Sequence, residues 1–366
     1  MRVALISPYA LSVFGGAQEQ VLAMSRELSR RGHDVLIITP DASDPTIYDT
    51  PAQVLRLGRL VKLPANGSRA PLTLSPWAAR TARRAVAAFT PDVVHFHEPF
   101  APLLGWSVLR AHDAPAVATF HRSGEGPATR LTRPLLRFLA RGLDEVAAVS
   151  EAAAETMGAA CARTPVVLFN GIEMDRFAAT PRERSDETLL VTLGRFEQRK
   201  GVAHAINAVR AHNAKGEDPW RLVVLGDGPQ RDTLRSLAAR DKMIVFAGAP
   251  SDEQKRAWLR KANALIAPAL HGESFGLILL EGMASETTVV ASDITGYRDA
   301  AGGHAVLAPA GDDSALEAAI VTALASETPA RVAAARAYAQ GWSMTALMDR
   351  YLELYARAGQ HYSPSK

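Results

Sequence analysis

The sequence predicts an α/β protein with two Rossmann-like domains, each built on a parallel β-sheet. Short β-rich runs alternate with longer helical patterns along the chain, which is typical of parallel sheets covered by helices on both faces. The 366 residues suit two domains of roughly 150–200 residues each. The turn-like Asn170-Gly171 and the polar stretch 181–187 lie between two sets of strands, so we expect the domain boundary there.

Each expected strand is a short apolar run, and each expected helix has apolar residues at helical spacing. In the first half the expected strands are Val3–Ser7, Val35–Thr39, Val93–His97, Ala116–Phe120 and Val146–Val149. In the second half they are Leu189–Leu193, Leu222–Leu225, Ile244–Ala247, Ala264–Ala267, Val289–Ala291 and Ala305–Leu307. The clearest helices are Gln18–Arg31, Val202–His212, Pro229–Arg240 and Ser314–Ser326. The expected domains are 1–169, completed by a helix at 343–366, and 170–342, facing each other across a cleft at the carboxyl ends of the strands.

The composition narrows the class of protein. The chain is 48% hydrophobic and 22% charged, as in ordinary globular proteins. A single cysteine, Cys161, excludes an intrachain disulfide and favours a reducing compartment. Neither a secretory signal nor an apolar run of transmembrane length is present in the sequence. We therefore expect a cytoplasmic protein.

The most informative motif runs from His271 to Glu281. It places Glu273 in a glycine-containing turn and Glu281 eight residues later, with an apolar run between them that predicts the start of a buried helix. Backbone N–H groups at a helix N-terminus attract phosphates, and a carboxylate beside them can accept hydrogen bonds from sugar hydroxyls. Two glutamates at this spacing are common on surface helices, so the motif gains weight only from three others.

The second motif is a glycine pair, Gly15-Gly16, between the first strand and a helix. Glycines let backbone amides approach a diphosphate closely, although an ordinary strand-to-helix turn has the same residues. The third motif places Arg195 and Lys200 in the loop after the first strand of the second domain. Such a pair can bind a diphosphate and stabilise it as a leaving group without a metal. A solvated basic loop is the alternative, but the carboxyl end of a strand favours binding.

The fourth motif contains His121, just past a strand, where a histidine is more often structural than catalytic. His95 and His97 alternate on the preceding strand and share one face, and with Glu98 they could indicate a metal site. No further ligand is evident in the sequence, and it has no D-x-D motif that would clamp a diphosphate through a divalent cation. We therefore expect no metal.

These four motifs, in this order, resemble those of the family 4 retaining glycosyltransferases, which have the GT-B fold. The resemblance covers nearly the whole chain. It rests on Gly15-Gly16 with Gln18, Asn170-Gly171-Ile172, Gly194-Arg195 with Lys200, and Glu273-Ser274-Phe275-Gly276 with Glu281. Within the family the chain looks most like the actinobacterial phosphatidylinositol mannosyltransferases. The residues that carry this closer likeness are Ser7-Pro8-Tyr9, His97-Glu98-Pro99, Ala101-Pro102, Ala118-Thr119-Phe120-His121 and Gly272–Gly276.

The resemblance implies roles for these residues. Arg195 and Lys200 would bind the diphosphate, Glu273 the hydroxyls of the donor sugar, and His121 would lie under that sugar near the acceptor hydroxyl; these four form the expected catalytic set. The implied donor-binding residues are Gly15, Gly16, Asp252, Lys255, Ser274, Phe275, Gly276, Leu277 and Glu281, of which Glu281 would bind the ribose. The implied acceptor-binding residues are Tyr9, Gln18 and Thr119.

The resemblance also implies the reaction. A hexose, with mannose favoured, would pass from a sugar nucleotide, with GDP-mannose favoured, to a lipid acceptor such as phosphatidylinositol. The departing phosphate would serve as the base, so no protein nucleophile or cofactor is required, in contrast to two-carboxylate retaining hydrolases. Two alternatives remain open at this point: a UDP-sugar enzyme with a soluble polyol or sugar acceptor, and an inactive module that binds sugar nucleotides.

Three departures from the family pattern bear on the acceptor. Ser12 stands where the mannosyltransferases have an acidic residue near the acceptor, and the loop from Arg195 to Lys200 is one residue shorter than theirs. The stretch 122–126 replaces a loop rich in serine and threonine just after His121.

Two basic stretches predict contact with an anionic membrane. In Pro76–Phe89, three arginines share one helical face beside a tryptophan; the residues are Trp77, Arg80, Arg83 and Arg84. In the stretch 130–143, one stripe is basic and another apolar; these are Arg130, Arg133, Arg137 and Arg141, and Leu131, Leu135, Phe138 and Leu139. Amphipathic basic helices bind anionic lipid, but helices that merely cover a sheet look similar. We expect a peripheral protein at the inner face of the plasma membrane. Apart from Trp77, the basic residues lack interleaved aromatic residues, which argues against nucleic acid.

Overall fold

The computed structural model forms two compact units, Met1–Gly171 with Met344–Lys366 (unit 1) and Ile172–Ser343 (unit 2). The structure describes residues 1–12, 15–41, 48–58, 61–65, 68–73, 75–101, 103–121, 127–161, 163–178, 187–216, 218–239, 241–273 and 275–362. Ser274 and the stretch 122–126 therefore lie outside the described residues, as do the side chains of Arg130 and Leu131.

Within the described part of unit 1, seven parallel strands form one sheet in the order β3-β2-β1-β6-β7-β8-β9. These strands are β1 (Arg2–Ile6), β2 (Asp34–Thr39), β3 (Gln53–Arg56), β6 (Val93–His97), β7 (Ala116–Phe120), β8 (Glu145–Ala148) and β9 (Val166–Val167). A separate antiparallel pair consists of β4 (Val61–Ala65) and β5 (Ser68–Leu72). The central strands β6 and β7 are buried along their whole length, as expected for strands of a parallel sheet covered on both faces. In β6 this burial includes the two histidines, His95 and His97.

Helices cover both faces of this sheet. One face packs against α1 (Gly16–Arg30) and α14 (Met344–His361). The other face packs against α2 (Pro76–Phe89), α3 (Leu104–Leu109), α4 (Pro127–Ala140) and α5 (Glu151–Cys161). The long helix α14 follows unit 2 along the chain but buries its apolar side in unit 1, with Leu347, Met348, Tyr351 and Leu354 in the core.

In the described part of unit 2, six parallel strands form a sheet in the order β12-β11-β10-β13-β14-β15. The strands are β10 (Thr188–Leu193), β11 (Trp220–Leu225), β12 (Ile244–Gly248), β13 (Ala264–Ala267), β14 (Thr288–Ser292) and β15 (Val306–Ala308). The helices are α6 (Met174–Ala178), α7 (Val202–Asn213), α8 (Arg231–Leu237), α9 (Asp252–Lys261), α10 (Leu277–Ala284), α11 (Thr295–Ala301), α12 (Asp313–Ala325) and α13 (Pro329–Gln340). The direction of winding reverses between β10 and β13, and ligands of doubly wound sheets bind at the carboxyl ends of such strands.

The expected α/β alternation is confirmed, and all eleven predicted strands have counterparts. The sequence missed the short strands β3 and β9 and the pair β4–β5. Strand β3 is a half-exposed edge strand and β9 has only two residues, so neither has an extended apolar run. The predicted helix Pro229–Arg240 is shorter in the structure, Arg231–Leu237. None of the described helices combines the length and apolar character needed to cross a membrane.

Candidate active site

The loop after β10 is held in a tight conformation by glycine. A 3₁₀ turn, Gln198–Lys200, is followed by Gly201 at φ +64°. Residues other than glycine rarely adopt this backbone conformation. A Cβ at Gly201 would lie 1.9 Å from the carbonyl oxygen of Pro268, which follows β13. Because only glycine fits there, the basic loop lies directly against the chain that leaves β13, at the reversal point of the sheet.

The charged side chains of this loop form one connected network. Glu197 Oε1 lies 3.3 Å from Arg195 Nη2, and Glu197 Oε2 lies 3.1 Å from Arg199 Nε. Glu273 Oε1 accepts from Arg199 Nη1 at 2.8 Å and lies 2.7 Å from Lys200 Nζ. The predicted trio of Arg195, Lys200 and Glu273 therefore lies in one cluster, joined by two residues to which the sequence assigned no role.

The turn that carries Glu273 is also shaped by glycine. Gly272 and Gly276 adopt φ +78° and +88°, and Gly276 caps the N-terminus of α10 just before Leu277. A Cβ at Gly276 would lie 2.6 Å from the ring of Tyr297. Burial, with the Glu273 carboxylate as a further cause, raises the pKa of Tyr297 well above its usual value. The Tyr297 hydroxyl therefore stays protonated and uncharged near the carboxylate. The buried ring of Phe275 packs on Trp342, with centroids 4.9 Å apart.

A second charged cluster of unit 2 contains three predicted donor-binding residues. Lys255 Nζ lies 2.8 Å from Glu281 Oε1 and 3.2 Å from Asp252 Oδ1. Lys255 is 2% exposed, so this is a buried ammonium with two carboxylate partners. Asp252 also accepts from Arg256 Nη1 at 2.8 Å and lies 3.6 Å from Arg176 Nη2. Burial alone would raise the pKa of Asp252, but Lys255, Arg176 and Arg256 together lower it.

Four predicted residues of unit 1 lie at the end of β1 and the start of α1. At the carboxyl end of β1, the carbonyl oxygen of Tyr9 accepts hydrogen bonds from the hydroxyls of Ser7 and Thr39, at 2.9 and 3.0 Å. Gly15 and Gly16 begin α1, and the side chain of Gln18 lies over Gly15, so a Cβ there would meet its Oε1 at 2.5 Å.

An acidic side chain, Asp41, lies beside Ser12. The Ser12 amide and hydroxyl donate to the two carboxylate oxygens of Asp41, at 2.7 and 2.9 Å. Asp41 is buried, with 1% of its surface exposed. A carboxylate therefore lies directly next to position 12, although residue 12 is a serine.

The predicted residues Thr119 and His121 belong to a buried network at the carboxyl ends of β6 and β7. His95 hydrogen-bonds through Nδ1 to the Tyr355 hydroxyl at 2.7 Å and through Nε2 to Thr119 Oγ1 at 2.8 Å. Thr119 Oγ1 also lies 2.9 Å from the Tyr351 hydroxyl. Thr119 is fully buried, so its hydroxyl is engaged inside unit 1.

Three imidazole rings lie in a row within this network, and we call them the histidine stack: His95, His97 and His121. The centroids of His95 and His97 are 4.6 Å apart, and those of His97 and His121 are 5.2 Å apart. His97 Nδ1 lies 2.9 Å from His121 Nε2. Burial lowers the pKa of His95 to about 3 and that of His121 to about 4, and it holds the pKa of His97 well below its usual value. The stack is therefore uncharged at neutral pH.

Both nitrogens of His95 are hydrogen-bonded within the protein. Among the described residues, no group of three or more His, Cys, Asp or Glu side chains is arranged to hold a metal ion.

The two basic helices differ in how they expose their side chains. On α2, Trp77 is 65% exposed, and Arg80, Arg83 and Arg84 are exposed beside it. On α4 the predicted apolar stripe is split, because Leu139 is buried whereas Leu135 and Phe138 are 41% and 48% exposed. The buried side of α4 instead continues through Leu136 and Ala140, and the Phe138 ring lies 4.9 Å from the guanidinium of Arg110.

Sequence reasoning overlooked several members of these clusters. Glu197 and Arg199 carry a local signal, the alternation of acidic and basic residues between Arg195 and Lys200. Tyr351 and Tyr355 are four residues apart on α14 and so share one face, but nothing in their local sequence indicates that they face His95.

Comparison with known proteins agrees with this geometry. Residues 14–176 match the model described as Glycosyltransferase Family 4, and residues 187–326 match Glycosyl transferases group 1. A solved glycosyltransferase from Rickettsia africae superposes with a TM-score of 0.77 at 17% identity, covering 98% of each chain. The two family matches and the likeness in fold together define the protein as a glycosyltransferase with the GT-B fold.

Curated relatives place the chain more closely. The phosphatidyl-myo-inositol mannosyltransferase of Mycobacterium leprae is 34% identical over 337 residues, which is 89% of this chain and 88% of the relative. The protein of the same name from Propionibacterium freudenreichii is 33% identical over 382 residues, covering 100% and 97% of the two chains. The chain thus belongs to glycosyltransferase family 4, the family that includes these mannosyltransferases.

Proposed function

We propose that this glycosyltransferase transfers mannose from GDP-mannose to a lipid acceptor such as phosphatidylinositol at an anionic membrane surface, with retention of the anomeric configuration. The observation that carries the transfer chemistry is the cluster in which Glu273 contacts both Arg199 and Lys200 beside the carboxyl end of β10. The choice of sugar and acceptor is supported by the names of the mycobacterial and propionibacterial relatives.

The charge of this cluster suits a sugar diphosphate. Arg195, Arg199 and Lys200 contribute three positive charges, and Glu197 and Glu273 contribute two negative ones, so the cluster carries a net charge of +1. The N-terminus of α10 adds partial positive charge from its backbone N–H groups. When the donor binds, Lys200 and Arg195 contact the diphosphate, and Glu273 exchanges part of its contact with Lys200 for hydroxyls of the sugar.

The buried cluster of unit 2 supports recognition of the nucleoside. Glu281 keeps Lys255 as its ion-pair partner at 2.8 Å, and its carboxylate retains acceptor capacity for the ribose hydroxyls. Lys255 and Asp252 lie at the start of α9, after β12. We propose that this segment contacts the base.

The reaction needs one bond to break and one to form. The bond between the anomeric carbon and the diphosphate oxygen breaks, and the acceptor hydroxyl oxygen bonds to the anomeric carbon on the same face. The acceptor proton passes to the departing phosphate oxygen, while Arg195 and Lys200 stabilise the charge that develops on the diphosphate. In unit 1, His121 borders the donor sugar, Tyr9 and Gln18 line the acceptor side, and Thr119 acts through its contact with His95.

Membrane contact through α2 supports the lipid acceptor. Trp77 presents an exposed aromatic ring beside three exposed arginines, and α2 contains no aspartate or glutamate. Helix α4 is also free of acidic residues and exposes Leu135 and Phe138. Because α2 and α4 cover the same face of the sheet, we propose that this helical layer faces anionic lipid, which corresponds to a peripheral location at the inner face of the plasma membrane.

The test is a transfer assay with three donors: GDP-mannose, UDP-glucose and UDP-N-acetylglucosamine. Each is supplied with phosphatidylinositol vesicles, with phosphatidylglycerol vesicles of the same surface charge, or without lipid. We expect a mannosylated lipid only with GDP-mannose and phosphatidylinositol, and an anomeric configuration that NMR finds unchanged from the donor.

Other results identify the alternatives. Transfer from a UDP-sugar, or transfer to a soluble polyol at a rate indifferent to vesicles, contradicts the lipid mannosyltransferase and favours an enzyme with a soluble acceptor. Binding of a sugar nucleotide without turnover under any condition indicates an inactive binding module.

A further inference from the structure

The contact between His97 and His121 leaves Nε2 of His97 without a hydrogen-bond partner among the described residues. Since His97 Nδ1 and His121 Nε2 are 2.9 Å apart, one of the two neutral rings must donate and the other accept. The other nitrogen of His97, Nε2, is buried. His97 as a whole is 1% exposed, so this nitrogen is shielded from bulk solvent.

The unpartnered nitrogen decides the direction of the hydrogen bond. If His121 were the donor, the proton of His97 would lie on Nε2 and remain a buried N–H without an acceptor. Such orphaned N–H groups are rare in folded proteins, and leaving a buried donor unpaired is costly. If His97 donates from Nδ1, its Nε2 carries only a lone pair, which is the less costly group to leave unpaired.

We infer that His97 is a positioning residue: it donates from Nδ1 to His121 Nε2 and holds the neutral His121 ring with its proton on Nδ1. This inference rests on the proposed function only where it places His121 beside the donor sugar. The hydrogen bond itself is a property of unit 1 and is testable without substrate.

Further contacts fix both rings in this arrangement. The backbone N–H of His121 donates to Glu98 Oε1 at 2.6 Å, and the backbone N–H of Glu98 donates to the Thr119 carbonyl at 2.9 Å. Glu98 adopts φ +50°, a conformation that non-glycine residues keep where surrounding contacts enforce it. His95 stacks on the far side of His97 and is itself tied to Thr119 and Tyr355. Each side of the His97–His121 pair is thus restrained.

The arrangement limits what His121 can do. Its Nε2 is engaged as an acceptor, and burial lowers the pKa of the ring to about 4, so the ring is neutral at pH 7. With its proton on Nδ1, His121 is a hydrogen-bond donor to oxygen of a sugar or phosphate rather than a base for the acceptor hydroxyl. This role agrees with a reaction in which the departing phosphate takes the acceptor proton.

The decisive measurement is the tautomer of His121, read by two-bond ¹H–¹⁵N NMR correlation spectra of histidine-labelled full-length protein at pH 7. The His121 signals are identified by their loss in His121→Gln. We expect the proton on Nδ1 in the wild type. In His97→Asp, where a carboxylate replaces the donor, we expect a proton on His121 Nε2, because the carboxylate can only accept.

Activity gives the second readout. His97→Asp should lower the transfer rate on the order of tenfold to a hundredfold, as expected for a misoriented group, and should shift the acid limb of the pH–rate profile upward because a carboxylate raises the pKa of a neighbouring histidine. His97→Asn retains a donor near the Nδ1 position and should recover most of the rate. The matched control is His112→Asn, which removes another imidazole of unit 1, beside Phe96 on β6, without touching the stack.

The outcomes separate this inference from the proposed function. A wild-type His121 protonated on Nε2 overturns the inference, as does an unchanged tautomer in His97→Asp. A changed tautomer with an undiminished transfer rate overturns the positioning role. If the wild type transfers no sugar at all, the proposed function fails, but the tautomer of His121 still tests the inference about His97. If His97→Asp does not fold, the wild-type spectrum alone can overturn that inference.

Discussion

The two units place polar groups at their strand ends in opposite ways. Unit 2 uses full charges held in pairs, such as Lys200 with Glu273 and Lys255 with Glu281. Unit 1 places the neutral histidine stack with its buried hydroxyl partners at the ends of β6 and β7, and the buried carboxylates of Asp41 and Glu98 follow β2 and β6. The difference matches the proposed division of labour, because a diphosphate leaving group needs fixed positive charge whereas a neutral hydroxyl acceptor needs shape and hydrogen bonds.

Burial acts in opposite ways on the ion pairs of unit 2 and on the histidine stack of unit 1. A buried ion pair is tolerable only while both partners are present, since either one alone is an uncompensated charge. A buried imidazole avoids this problem by staying neutral, because burial disfavours its charged form. Unit 2 should therefore be sensitive to the loss of single partners, and unit 1 should be sensitive to acid.

The largest expected effect is on the stability of unit 2. Lys255→Met leaves Glu281 and Asp252 without their buried ammonium and should lower the free energy of unfolding by about 3–5 kcal/mol, measured by urea denaturation. The double variant Lys255→Met/Glu281→Gln removes the orphaned charge and should recover part of the loss. A single variant as stable as the wild type would mean that the pair is not buried as described.

Lys200→Ala should affect turnover rather than folding. Glu273 keeps its contact with Arg199, so the melting temperature should change little. The rate of transfer should fall about 10²–10³-fold, because a fixed positive charge at the leaving group is lost. Lys215→Ala is the matched control, since Lys215 also pairs with a glutamate of unit 2, Glu317, but lies outside the cluster. Equal rates for the two variants would remove Lys200 from the proposed site.

The histidine stack predicts that stability declines in acid. The unfolded chain takes up a proton at each histidine near pH 6.5, whereas His121 in the folded protein does so only near pH 4. The stabilisation is therefore fully present above pH 6.5 and is lost as the pH falls toward 4, by about 2 kcal/mol between pH 6.5 and 5 for His121. Urea denaturation at both pH values should show a weaker decline for His121→Gln than for the wild type, and an identical decline would contradict a buried neutral stack.

The smallest effect per side chain concerns α2. Replacing Arg80, Arg83 and Arg84 by serine should weaken binding to anionic vesicles by about 1 kcal/mol per arginine, with a smaller difference at high salt. Arg350→Ser is a control, because Arg350 is an exposed residue of α14 on the opposite face of the sheet. Vesicle sedimentation measures both, and equal binding by the triple variant and the wild type would exclude α2 from the membrane contact.

The sequence was sufficient for the fold because most of the central strands are short apolar runs. Strands such as Ala116–Phe120 are buried at every residue, and this burial requires the apolar side chains that make the strand recognisable. The edge strand Gln53–Arg56 is half exposed, so no hydrophobic requirement marks it.

The residues of the candidate site also differ in whether their local sequence marks them. Glu273 and Lys200 stand in local glycine-containing motifs, so the sequence singled out both residues, and the structure places them in one cluster. The partners of the histidine stack have no local signal, since His95 and Tyr355 are 260 positions apart in the chain. Which residues meet at that distance is decided by the winding of the sheet and the path of α14, and a single sequence does not specify either.

The position of α14 in the chain has a consequence for synthesis. Unit 2 leaves the ribosome in full before α14 does, so it can fold while one apolar face of unit 1 is still uncovered. The helix then buries Leu347, Met348 and Leu354 in that face and brings Tyr351 and Tyr355 to the histidine stack. A fragment that stops at Gly171 contains all the strands described for unit 1 but exposes this face, so it should aggregate unless α14 is supplied as a separate peptide.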